Sequence, residues 1–198
     1  MHKAVDSLES YLARLCRKAK ELGASQAVAI PAVDIVVDER TSLKCLVPLC
    51  PHYSIDLMCP PNVIPVSKFR EILGGYHHAI LVKVDIPLTN KSKGTPKAGY
   101  MKVLEDAQKR LHNIVCTIES LCLADGYHFA AGLTGGSCPL CEECVGVNSG
   151  LPCRHPYKAR PAMEAMGIDV MATARKAGLD LSFGQSDSRG WVGLVLIA

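Results

Sequence analysis

Three thiols fall within seven residues at Cys138-Pro139-Leu140-Cys141-Glu142-Glu143-Cys144, and Cys153 follows after eight intervening residues. A C-x2-C-x2-C run winds its thiolates around one side of a compact object, so this stretch reads as a loop wrapped on a ligand. The spacing opens the bacterial ferredoxin motif, in which a remote cysteine supplies the fourth thiolate of a [4Fe-4S] cluster. Cys153, followed by Arg154-His155-Pro156, can play that part. Structural zinc sites more often use two separated C-x2-C pairs. Zinc held by the same four thiolates is the alternative. The preceding Gly132, Gly135 and Gly136 let backbone N–H groups approach cluster sulfides, which stabilises negative charge there.

A second constellation is Cys45-x4-Cys50-x8-Cys59, with Pro51 and Pro60 directly after two of its cysteines. Proline stiffens such a loop and removes backbone donors. Three cysteines leave a four-iron cluster one ligand short. Either His52 completes the site, or one iron keeps an open position that could bind a substrate as a Lewis acid. The bland alternative is a single site, with Cys45, Cys50 and Cys59 joining it or simply buried.

Ten cysteines in 198 residues could also signal disulfides, and the compartment decides. The start of the chain, Met1-His2-Lys3-Ala4-Val5-Asp6, has no apolar stretch and no small-residue cleavage site. No apolar run approaches the ~20 residues that span a bilayer. A cytoplasmic, reducing location without structural disulfides is therefore expected. The net charge of +3 and an aromatic content of 5% give little support to nucleic-acid or membrane-surface binding. Neither partner is expected. Arg154, His155, Lys158 and Arg160 form a local basic group. It reads as solvated charge offsetting a negative cluster, or as a docking patch for an acidic partner. No P-loop, dinucleotide fingerprint, nucleophile elbow or zincin helix is present.

Hydrophobic periodicity supplies the scaffold. Helices are expected over residues 4–23, with Val5, Leu8, Leu12 and Leu15 as the stripe, and over 99–124, with Leu104, Leu111, Val115, Ile118 and Cys122. Shorter helices suit 68–73, capped by Ser67, and 161–166 and 170–177. Strands are expected at 27–30, 35–37, 78–84, 127–133 and 191–197, with a polar connection over 86–97. The fold class is α/β, a mixed sheet flanked by helices with two irregular Cys-rich metal-binding loops (45–62 and 134–156), and residues 1–198 form one domain. Cys16, Cys116 and Cys122 fall on helices and read as core thiols. His77 and His78 point to opposite faces and cannot ligate together. His128 should pack in or near the sheet, and Glu142 and Glu143 should be solvated.

Several stretches together resemble domain-of-unknown-function family 2284, a family of predicted metal-binding proteins. They are Lys44-Cys45, Cys50-Pro51-His52-Tyr53, Cys59-Pro60-Pro61, Gly136-Ser137-Cys138 through Cys144, and the block from Cys153-Arg154-His155-Pro156 to Val170. The resemblance implies metal binding through these cysteines and leaves the reaction open. The expected function is that of an iron–sulfur protein in electron transfer or in reduction of a small substrate, an oxidoreductase in the second case. It would hold one four-Cys cluster and a second three-Cys cluster at the other loop. The competing expectation is a non-catalytic, zinc-stabilised binding module. Partner classes that suit the first are a redox partner protein or a small-molecule substrate, with a second copy of the chain in a homodimer.

Overall fold

The computed structural model describes residues 7–86, 97–179, 181 and 189–198. Helix α1 (Leu8–Glu21) leads into strand β1 (Gln26–Pro31), followed by the single turn α2 (Leu43–Leu46) and helix α3 (Val66–Leu73). Strand β2 (His78–Asp85), the long helix α4 (Lys97–Ala124), strand β3 (Ala131–Leu133), helix α5 (Val170–Lys176) and strand β4 (Gly190–Ile197) complete the order.

The four strands form one sheet in the order β1-β2-β4-β3. An α/β fold with a sheet flanked by helices is thus present. Every strand pair in it is antiparallel, with Ile80 opposite both Ala29 and Val195 and with Leu194 opposite Leu133. The parallel pairing that a mixed sheet would need is confined to the isolated bridge between Thr134 and Ala162.

Strands β2 and β4 are apolar on both sides because both faces of the sheet are covered. Ile80, Val82, Val84, Val195 and Ile197 pack against α1 and α4, through Leu12, Leu15, Leu111, Val115 and Ile118. Ala79, Leu81, Leu194 and Leu196 face the opposite layer, built from Phe69, Met163, Met166 and Ile168. Full burial of one such aliphatic side chain contributes about 1.5–3 kcal/mol. Helix α4 approaches the sheet closely because Gly132 and Gly193 present no side chain to it. A Cβ at either position would lie 2.7 Å from a Val115 methyl.

Local chemistry sets the helix ends. The Ser7 hydroxyl accepts from the Ser10 N–H at α1, and the Asp169 carboxylate accepts from the Ala172 N–H at α5. Gly126, at φ +100°, follows α4 in the left-handed region that favours glycine. Within α1, Leu8 is 42% exposed, and Tyr11 and Ala19 complete the buried face instead. Val5, with the rest of residues 1–6, and residues 87–96 of the polar connection lie outside the described residues. Helix α3 starts at Val66, with no side-chain cap from Ser67.

Three expected elements differ. Residues 35–37 are not a strand of the sheet. Their backbone pairs with the chain before α5, through the Val37–Ile168 bridge and the bond from Asp169 N–H to the Val36 carbonyl at 2.8 Å. Only Ala131–Leu133 of 127–133 is strand, and His128 is exposed rather than packed in the sheet. Residues 164–166 make a 3-10 turn in place of a helix over 161–166. No helix among the described residues is long and apolar enough to cross a membrane.

Candidate metal centre

The segment after β1 carries the first cysteine loop to its place. Asp38 N–H donates to the Gly167 carbonyl at 2.8 Å and Val36 N–H to the Thr173 hydroxyl at 3.0 Å. These bonds fasten the chain along the α5 side before Cys45 is reached on α2. The loop then folds on itself. Cys50 N–H donates to the Cys45 carbonyl (3.0 Å), Ser54 N–H to the Pro60 carbonyl (2.8 Å) and Cys59 N–H to the Asp56 carbonyl (3.1 Å). The Val47–Pro48 and Pro60–Pro61 peptide bonds are cis. Asp56 is 8% exposed, and its carboxylate lies 2.7 Å from His52 Nδ1. A carboxylate accepts, so the neutral ring carries its proton on Nδ1 and keeps a lone pair on Nε2. That is the usual preparation of a metal-binding histidine.

The second loop is fastened at both ends. Thr134 N–H donates to the Pro161 carbonyl (3.0 Å) and Met163 N–H to the Thr134 carbonyl (2.8 Å). Gln108, on α4, donates through Nε2 to the carbonyls of Gly135 (3.3 Å) and Ser137 (2.7 Å). Within the loop, Arg154 donates to the Glu143 carbonyl at 2.8 Å. The His155 N–H donates to Cys153 Sγ at 3.3 Å. A backbone donor on a sulfur favours the thiolate form and tunes any metal that the thiolate binds.

Cys138, Cys141, Cys144 and Cys153 line one cavity of about 670 Å3, together with His52 and Asp56 of the first loop. Burial pushes the Cys138 thiol up to about 11, and Cys153, Cys141 and Cys144 push in the same direction against a bond from the Leu140 N–H. Cys59 is buried, at 7% exposure. Burial, then Asp56, Cys50, Cys45 and Cys138, raise its thiol to about 12. Burial raises Cys45 as well, followed by Cys50 and Glu164. The cysteines of each loop therefore lie within electrostatic reach of one another, and Cys59 with Cys138 links the loops.

The two groups differ in one respect. The four cysteines of the second loop share a cavity, whereas Cys45, Cys50 and Cys59 do not line it. Among the described residues, no three His, Cys, Asp or Glu side chains are close enough to share a single ion. All ten cysteines are free thiols. Four soft sulfur donors around one cavity fit a thiolate-bound metal centre in their chemistry, whether iron–sulfur or zinc.

Glu142 and Glu143 are exposed, as expected. Arg160 does not belong to a solvated basic group. It is paired with Glu119 of α4 in the interior, while Arg154 and Lys158 stay exposed. Cys122 is fully buried in the α1–α4 layer, and Cys116 donates to the Lys158 carbonyl at 3.3 Å. Spacing alone did not reveal Gln108, Asp56 or Glu119 as supports of the loops. Gln108 binds main-chain carbonyls and Glu119 a partner 41 positions away, neither of which leaves a motif, and Asp56 shows only through its pairing with His52 four residues earlier.

The family model described as "Predicted metal-binding protein (DUF2284)" matches residues 28–197, which include both cysteine loops. No curated protein and no solved structure matches the chain.

Proposed function

We propose, for a chain that belongs to the DUF2284 family of predicted metal-binding proteins, that the metal centre is a [4Fe-4S] cluster held by Cys138, Cys141, Cys144 and Cys153. The protein then serves in electron transfer or in reduction of a small substrate. The observation that carries the proposal is that these four cysteines line one cavity, at the spacing of a cluster motif. Such a cluster supplies one-electron transfer when bound. The chain's own residues do the rest. Gln108 holds the carbonyls on the approach to Cys138, and the His155 N–H supports negative charge on Cys153. The exposed Arg154 and Lys158, which follow Cys153 in the chain, offer positive charge to an acidic redox partner.

Cys45, Cys50 and Cys59 form the second centre in this reading, and His52 is the residue prepared to complete or to gate it. His52 also lines the four-cysteine cavity, so residues of both loops come together there. Zinc in the four-thiolate site is the competing identity and would make the protein a binding module. Anaerobically purified protein separates the two. A cluster gives brown protein with broad absorption near ~400 nm that is lost in Cys141→Ser, whereas zinc gives colourless protein.

A further inference from the structure

Another cavity, of about 600 Å3, shares no lining residue with the four-cysteine cavity. Its size falls within the ~300–1,000 Å3 typical of small-molecule sites. Ile86, Leu104, Ile168, Val170 and Val192 give it apolar walls, and Trp191 is part of its lining. The indole N–H is already used, donating to the Leu104 carbonyl at 3.0 Å, so the ring serves as an apolar surface. Trp191 also packs on the backbone that leads to Cys138. A Cβ on Gly136 would lie 2.9 Å from its ring.

The charged groups of this cavity, three cations and three anions, are not all paired. Asp38 is held by Arg40 in paired bonds of 3.0 Å at Nε. Asp169 is engaged at the start of α5. Neither Arg189 nor Lys44 has an ion pair among the described residues, and Lys44 acts on Glu164, which leaves the Arg189 guanidinium without an acidic partner there. Glu164 accepts from the Gly136 N–H, yet its Oε2 is shielded from solvent without a hydrogen-bond partner among the described residues. A buried acceptor left open is costly unless a ligand supplies the donor.

We infer that this cavity binds an apolar carboxylate bearing a hydroxyl group. Its carboxylate meets Arg189, its chain lies along Trp191, and its hydroxyl donates to Glu164. Lys44 and Glu164 flank Cys45, and Gly136 leads to Cys138, so the ligand would sit against both cysteine loops. Its binding rests on the cavity alone and does not depend on the proposed cluster.

Calorimetric titration of the protein as purified with octanoate, 8-hydroxyoctanoate and octanol tests the inference. Both carboxylates should bind at least tenfold more tightly than octanol, and the hydroxy acid more tightly than octanoate. Arg189→Met should abolish the preference for carboxylates. Met171→Trp, which fills the cavity, should abolish binding altogether, and fluorescence of Trp191, the only tryptophan of the native chain, should change on saturation. Equal affinity for octanoate and octanol, or an unchanged preference in Arg189→Met, overturns the assignment. So does undiminished binding in Met171→Trp. A hydroxy acid no tighter than octanoate removes Glu164 from it. Iron analysis of the same sample keeps the two claims apart. Carboxylate binding without iron sinks the cluster and leaves the cavity site; iron without carboxylate binding does the reverse.

Discussion

Glu119 Oε2 accepts from Arg160 Nε at 2.6 Å, tying the residue after the second cysteine loop to the buried face of α4. The other oxygen, Oε1, accepts from the Gly132 N–H at 2.9 Å, just before that loop. One carboxylate thus closes both ends of the segment that carries Cys138 to Cys153. The two side chains are 7% and 17% exposed. Breaking a buried pair by removing one partner costs about 3–5 kcal/mol, because the other charge is left uncompensated. Arg160→Met is expected to lower the unfolding free energy by about 3 kcal/mol in urea titrations. A loss under about 1 kcal/mol, the range of a surface pair, would show that the loop ends are held by something else.

Gln108→Ala removes the donor shared by the carbonyls of Gly135 and Ser137. Leaving such acceptors unpaired costs about 1–3 kcal/mol. The loss should be concentrated in the loop. Hydrogen exchange is expected to speed up around residues 135–141 while β2 and β4 keep their protection. Uniform acceleration across the sheet would mean that Gln108 supports the whole fold rather than the approach to Cys138.

His112 gives stability a pH dependence. The ring is 1% exposed, Nε2–H donates to the Lys158 carbonyl at 2.7 Å, and Nδ1 has no partner among the described residues. Burial, followed by the Lys158 bond that opposes it and then Arg160 that adds to it, holds the ring below its ordinary value of 6.5. The unfolded chain therefore binds the proton first as pH falls. The contribution is fully present above about pH 6.5 and is lost as pH drops through the lower folded value. Wild type should lose more stability than His112→Gln between pH 7.5 and pH 5.5. Parallel losses in the two proteins would contradict this.

Thiols at about 11 and about 12, as for Cys138 and Cys59, carry their protons at neutral pH. Metal binds thiolates, so loading must expel those protons. Calorimetry in buffers of different ionisation enthalpy should report net proton release, and metal affinity should rise with pH across the neutral range. An affinity independent of pH would point to ligands other than these thiols.

Much of this arrangement is legible in the sequence, for local reasons. Helix α4 shows because Leu111, Val115, Ile118 and Cys122 recur at helical spacing and all face one layer. Strands β2 and β4 show because both of their faces are covered, which makes continuous apolar runs. What escapes depends on distant partners. Ile35-Val36-Val37 has the composition of a strand, yet its hydrogen bonds go to Asp169 and Thr173 rather than to the sheet. Arg160 reads as one of several neighbouring basic residues because its partner, Glu119, is 41 positions away. The cysteine spacing names the candidate ligands, but nothing in it announces the His52–Asp56 pair or the electrostatic influence of Cys138 on Cys59.

The central claim is that Cys138, Cys141, Cys144 and Cys153 hold an iron–sulfur cluster. Counting iron, acid-labile sulfide and zinc in anaerobically purified wild type and Cys141→Ser tests it most directly. The account predicts about four iron and four sulfide per chain for one filled cluster, more if the first loop is also filled, with a clear loss of iron in Cys141→Ser. Stoichiometric zinc without sulfide, or full iron and an unchanged spectrum in Cys141→Ser, would contradict it.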